Sequence, residues 1–196
     1  MVYLKDKNAF IKVIYRICLS VIFTFYIMVV LLFGFNAYLR YTHPLKYVEE
    51  VVTASNKYRL DPLLVMSIIK TESSFNPSAV SSKNAVGLMQ VKPETADYLK
   101  MLTGKDYDLE NPADNVNAGA YYLRYLINKF EIEETAIIAY NAGEGNVSRW
   151  LNDQKYSLDR KTLYSVPFLE TEKYIVKIKK SFENYKNLYG NIVDKI

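Results

Sequence analysis

The sequence predicts one mostly α-helical domain at residues 45–190, preceded by a single membrane-spanning helix at residues 17–35. Three observations carry this. Ile17 to Phe35 reads ICLSVIFTFYIMVVLLFGF, 19 residues without a charge. Beyond Pro44 the apolar residues recur at helical spacing, with short breaks between stretches. Strand signal is poor, apart from a small hairpin region around residues 80–90. A chain of 196 residues holds one ordinary domain and little more, and half of its residues are hydrophobic, enough for a core.

The apolar run is long enough to cross a bilayer as a helix. Residues 1–16 form a basic flank, with Lys5, Lys7, Lys12 and Arg16 against Asp6 alone. Positive charge stays inside, which places the N-terminus in the cytoplasm and the body on the extracytoplasmic side of the cell membrane. A cleaved signal peptide has a shorter apolar core and ends in small residues. The nearest candidate site, FNA at 35–37, has bulky Phe35 in a small-residue position, so an uncleaved single-pass anchor fits better. Residues 36–44 read as a linker and 191–196 as a tail.

The chain has 25 basic and 21 acidic residues, and five and one of these fall in residues 1–40. The remaining 20 of each leave the body neutral, which does not indicate a nucleic-acid partner.

Each helix follows from its local signals. Residues 45–57 are amphipathic. Asp61-Pro62 is an N-cap and first-turn pair that opens a helix to about Ser73. FNPSAVSSKNAVG is a loop, rich in Ser, Asn, Pro and Gly. Helical pattern returns at 93–101, 113–130 and 133–141. Asn141-Ala142-Gly143 breaks the chain before a short helix around 145–152. A last helix starts near Pro167 and runs towards Tyr189.

The chemistry is bounded by what is scarce. Cys18 is the only cysteine and His43 the only histidine. No intrachain disulfide is available, and His43 lies beside the membrane segment. A serine or cysteine nucleophile with a histidine base is therefore not expected in the body, nor a zinc site, which usually needs several such ligands. No metal or cofactor is expected. Catalysis must rest mainly on carboxylates, Tyr, Ser, Lys or amides.

One carboxylate stands out. Val65, Ile68 and Ile69 share a helical face, and Glu72 is the next position on it, while Ser67, Lys70 and Thr71 point elsewhere. A carboxyl directed at a core or cleft wall is desolvated, which raises its pKa. A glutamate that keeps its proton near neutral pH can serve as a general acid. The alternative is a helix-terminal glutamate that reaches solvent.

The residues that follow decide between these. Glu72 to Ala96 reads ESSFNPSAVSSKNAVGLMQVKPETA. It resembles the lytic transglycosylase (SLT-type) domain, marked by Glu-Ser, a loop, then Gly-Leu-Met-Gln. PADNVNAGAYYLR at 112–124, AYNAGEGNV at 139–147 and VPFLETEKYIVKI at 166–178 are similar to that family's later motifs, in the same order. The resemblance covers about residues 45–185. It implies a lysozyme-like (goose-type/SLT) helical fold and cleavage of the MurNAc–GlcNAc β-1,4 bond of peptidoglycan glycan strands. It implies that one glutamate protonates the leaving oxygen and then takes the proton of the sugar's own C6 hydroxyl, closing a 1,6-anhydro ring. Ordinary glycoside hydrolysis uses two carboxyl groups instead.

On that resemblance Glu72 is the catalytic acid/base. Ser81 matches a position that contacts the substrate acetamide, and is otherwise a turn residue. Gln90 matches a hydrogen-bond partner for sugar or for Glu72. Met89 reads as core packing. Lys92 departs from the family, where Met often stands, and puts the contacts there in question. Tyr140 and Asn141 match the third motif: a phenol beside Glu72 or a half-buried core tyrosine, and a cleft amide or a cap before Gly143. Glu170 matches an acid lining the cleft, or is a first-turn charge favoured by the helix dipole. Tyr174 shares its face one turn later. Ser81, Gln90, Tyr140, Asn141, Glu170 and Tyr174 are thus the expected substrate-binding set. Two other functions stay open: a hydrolytic muramidase of goose-lysozyme type, and a non-catalytic wall-binding adaptor of a secretion or conjugation complex.

Overall fold

The computed structural model describes residues 2–193, with side chains from residue 9 to residue 191. Met1 of the expected flank and residues 194–196 of the expected tail lie outside the described residues. The chain divides between Pro44 and Leu45 into two compact units.

The first unit is one helix, α1 (Val2–Thr42). It extends past the uncharged run on both sides, so the expected linker is helical as far as Thr42. Its apolar side chains face outward along the whole run, from Phe10 to Tyr41. Nineteen residues at helical rise span about 28 Å, close to the hydrocarbon thickness of a bilayer. The stretch Ala9–Thr42 is long and apolar enough to cross a membrane. Ser20 and Thr24 donate their hydroxyls to the carbonyls of Ile17 and Val21, which satisfies two polar donors on the apolar helix without water.

Among its described residues the second unit has seven helices: α2 (Val48–Tyr58), α3 (Pro62–Glu72), α4 (Pro93–Thr103), α5 (Pro112–Phe130), α6 (Glu133–Ala142), α7 (Glu144–Leu151) and α8 (Leu169–Val193). Proline opens α3, α4 and α5, where its missing N–H costs nothing. Asp61 caps α3 by accepting from the Leu63 N–H at 2.8 Å, and Asn111 caps α5 through the N–H groups of Ala113 and Asp114. The end of α2 is satisfied from a distance: Arg124 on α5 donates to the carbonyls of Tyr58 and Arg59.

Helix α3 is the centre. It packs on α8 and α2, while α5 packs on α2, α4 and α6, and α6 on α7 and α8. Every residue from Leu63 to Ile69 is buried. The expected amphipathic face is thus wrong in one respect: Ser67 does not point away from the core. Neighbours surround α3, so its polar residue turns inward and donates to the Leu63 carbonyl at 2.7 Å. Leu88, Leu123, Leu126, Ile138, Ile178 and Tyr185 complete the core around it.

The hairpin region holds only two isolated bridges, Val80 with Val86 and Val86 with Val91. Asn84, Gly87 and Gln90 have positive φ. Three left-handed residues in seven bend the backbone too sharply for a ladder. The break after α6 also falls later than expected. Asn141 and Ala142 stay helical, and Gly143, at φ 85°, alone makes the turn into α7.

Candidate active site

The end of α3 meets a cleft of about 510 Å³. Glu72 is its last helical residue and lies half-buried in the cleft floor. Tyr174, buried on α8, donates its phenol proton to Glu72 Oε1 at 2.7 Å. Burial pushes the Glu72 carboxyl up to about 7, and the Glu170 carboxylate adds to that, while the Tyr174 hydrogen bond opposes it. A carboxyl raised in this way keeps its proton far closer to neutral pH than an ordinary glutamate does. Phenols also sense this charge. Burial, then the Glu72 carboxylate, push the Tyr174 and Tyr140 phenols well above their ordinary value, so both remain hydrogen-bond donors.

One wall of the cleft is the loop between α3 and α4. It contains almost no regular structure, so side chains must satisfy its backbone. Ser73 donates to the Leu88 carbonyl at 2.8 Å. Asn115 on α5 accepts from the Met89 N–H at 2.8 Å and donates to the carbonyls of Val86 and Leu109. Gly87 lies at φ 79°, and a Cβ there would run into the Asn115 amide. Met89 is fully buried and reaches α5 where Gly119 has no side chain; a Cβ on Gly119 would sit 2.6 Å from the Met89 sulfur.

The opposite wall comes from α6, α7 and the start of α8. Tyr140 and Asn141 from α6, Gly143 and Asn146, and Phe168, Glu170 and Thr171 line it. Lys83 on the loop and Glu170 on α8 join the two walls through an exposed ion pair of 3.3 Å.

All seven expected site residues converge here, but their contacts differ from expectation. Ser81 lines the cleft while its oxygen accepts from the N–H groups of Lys83 and Ala85, as a turn residue does. Gln90 also lines it, yet its amide nitrogen donates to Ala79 and Gly87 carbonyls rather than to Glu72. Tyr140 donates to the Met89 carbonyl at 2.9 Å, not to Glu72. Asn141 accepts from Thr171, tying α6 to α8; the turn before Gly143 is instead closed by Asn146, which donates to Ala142. Glu170 is an exposed first-turn charge and a cleft residue at once. Tyr174 sits behind Glu72 and is absent from the cleft lining. Lys83 and Tyr122 line the cleft as well, and Asn115 holds its loop wall, without an expected role. Asn115 and Tyr122 lie within the second motif, but nothing local gives Asn115 its role, because its partners Met89 and Val86 are 26 and 29 positions away.

Among the described residues no cluster of His, Cys, Asp and Glu could hold a metal ion.

Residues 50–163 match the Transglycosylase SLT domain family. The membrane-bound lytic murein transglycosylase C of Mannheimia succiniciproducens is 35% identical over 168 residues, which cover 72% of this chain and 47% of that protein. The protein of the same name from Actinobacillus succinogenes is 36% identical over 170 residues, covering 73% and 47%. The chain therefore spans less than half the length of these relatives. The 70 kDa soluble lytic transglycosylase of Escherichia coli matches the structure with a TM-score of 0.67 at 28% identity, over 76% of this chain and 25% of that one. An inactive mutant of the lytic transglycosylase Slt from Pseudomonas aeruginosa matches with a TM-score of 0.65 at 27% identity, over 74% and 24%. The fold is the helical, lysozyme-like one that the motifs implied. By its matched segment, which carries Glu72, the loop wall and the Tyr140-Asn141 pair, this chain belongs to the transglycosylase SLT domain family.

Proposed function

We propose that this chain is a peptidoglycan lytic transglycosylase that cleaves MurNAc-β-1,4-GlcNAc bonds without water. One observation carries the reading: a single half-buried glutamate in the cleft floor, with its pKa lifted to about 7. The other acid of the cleft, Glu170, is exposed and engaged by Lys83, which fits it poorly for a second catalytic carboxylate. The relatives' names, lytic murein transglycosylase, agree with this chemistry.

Tyr174 donates to Glu72 Oε1, which leaves Oε2 to carry the acid proton. That proton passes to the leaving glycosidic oxygen as the bond from C1 breaks. The Tyr174 hydrogen bond then steadies the new carboxylate. The carboxylate takes the proton of the C6 hydroxyl as its oxygen bonds to C1. Glu72 ends the cycle protonated, and no water is consumed. A pKa near the working pH suits both halves of such a cycle. Ser81, Gln90, Tyr140, Asn141 and Glu170 bound the cleft and are assigned to sugar binding, and Tyr174 to the glutamate itself.

The test is mass spectrometry of digested peptidoglycan. Products ending in 1,6-anhydro-MurNAc are expected. Reducing ends that take up oxygen from labelled water would show a hydrolytic muramidase, and intact strands a non-catalytic adaptor.

For α1 the reading is a single-pass anchor with the body on the extracytoplasmic side. The exposed apolar helix, its basic flank and the "membrane-bound" relatives support it. Protease added to spheroplasts should remove the body and leave a membrane-protected N-terminal fragment.

A further inference from the structure

The cleft contains four charged side chains: Glu72, Lys83, Lys92 and Glu170. Three of them are accounted for. Lys83 and Glu170 neutralise one another. Glu72 holds a proton in the state that starts the cycle. Lys92 remains. It is exposed, it lines the cleft, and its ammonium makes no hydrogen bond or ion pair with any described residue. Glu94, two residues on, is not part of the cleft lining.

The position of Lys92 is set by the backbone. It is the residue before Pro93, held extended at φ −80° and ψ 149° where α4 begins. Gln90 and Val91 before it, and Thr95 after it, line the same cleft wall. Val91 is buried and paired with Val86, which anchors the segment. An ammonium in a cleft whose other cation, Lys83, is already paired with Glu170 creates a preference for an anion on the ligand.

We propose that Lys92 is a specificity residue that binds a carboxylate carried by the glycan strand. This rests on the reading of the cleft as a peptidoglycan site. Glycan strands of peptidoglycan carry carboxylates in two places: on the peptide stems, and on the lactyl group of muramic sugars whose stem has been removed. Both present the same chemistry to an ammonium.

The experiment uses the full chain in detergent micelles and three substrates. These are stem-bearing strands, amidase-stripped strands with free lactyl carboxylates, and stripped strands whose carboxylates have been amidated. Lys92→Met should raise KM about fivefold on carboxylate-bearing strands, the change that about 1 kcal/mol produces. KM on amidated strands should stay within about twofold. Lys92→Arg should restore the wild-type KM, and the difference between wild type and Lys92→Met should shrink in high salt. An effect confined to stem-bearing strands assigns the stem; one present on stripped strands assigns the lactyl group. The proposal is overturned if Lys92→Met alters all three substrates equally, or none. Failure of wild type on every substrate would instead sink the underlying assignment of function, and this proposal with it. Because Lys92 is exposed, the variants should keep the wild-type melting temperature, which separates binding from folding.

Discussion

The two walls of the cleft are built on opposite principles. The wall from α6, α7 and the start of α8 is mostly regular helix, broken at Gly143 and before Leu169, and most of its cleft residues sit where helical periodicity puts them. The loop wall has two isolated bridges and five left-handed residues, and owes its shape to Asn115, Ser73 and Gln90 bonding its backbone. Between them lies Glu72, which belongs to neither. The difference teaches where damage spreads. Changes on the helical wall should act locally, while changes at the loop's few ties should collapse it. Glu72 should show chemistry lost without fold lost.

The largest effect is expected at that dividing residue. Glu72→Gln should lower kcat by about 10²–10⁴ or more, the usual contribution of a general acid. Its stability effect has a definite sign. The folded pKa is about 7 and the ordinary value 4.5. The folded state therefore holds the proton more tightly, so wild-type stability falls as pH rises from 4.5 to about 7, and levels off beyond. The uncharged glutamine lacks this loss. Glu72→Gln should match wild type at pH 4 and exceed it by up to about 3 kcal/mol at pH 8. Denaturant melts at the two pH values check this; an equally destabilised variant at both would contradict it.

On the loop wall, Gly87→Ala combines positive φ with a clash against Asn115, and Asn115→Ala strips three hydrogen bonds from a buried position. Each should cost about 2–4 kcal/mol and abolish most activity. Amide exchange should rise first between residues 79 and 91. Wild-type protection there would break the contrast between the walls.

Tyr174→Phe removes the hydrogen bond that favours charged Glu72. The Glu72 pKa should rise further, so the alkaline fall in rate, expected near pH 7 in wild type, should shift upward. A fold-preserving loss of about tenfold in kcat is expected, because the carboxylate loses its support. An unmoved pH profile would refute the positioning role.

Smallest is Glu170→Gln. The ion pair to Lys83 is exposed, and such pairs are worth about 0–1 kcal/mol. Thermal stability should barely change. The Glu170 carboxylate raises the Glu72 pKa, so its removal should move the alkaline limb slightly to lower pH.

Read alone, the sequence determined the helices, the apolar N-terminal run and the place of the candidate acid, Glu72, at the end of an apolar helix. These are local facts: a proline at N1, a period of 3.6, a motif in order. Helix starts at Pro62, Pro93 and Pro112 are decided by residues one position away. Even Glu72 was legible, because the face it extends is written within eight residues. Tertiary structure alone decided the rest. Ser67 turned inward because α8 and α2 enclose α3 from sides that no periodicity within α3 describes. Tyr174 reached Glu72 across 102 positions, and Asn115 reached the loop across 26 to 29. Gln90 and Tyr140 gave their donors to backbone carbonyls rather than to the acid, since a loop without a ladder must satisfy its buried carbonyls from whatever donors surround it. A hydrogen bond between distant residues leaves no period and no spacing in the chain; only the packing of α3, α5, α6 and α8 brings its two ends within 3 Å.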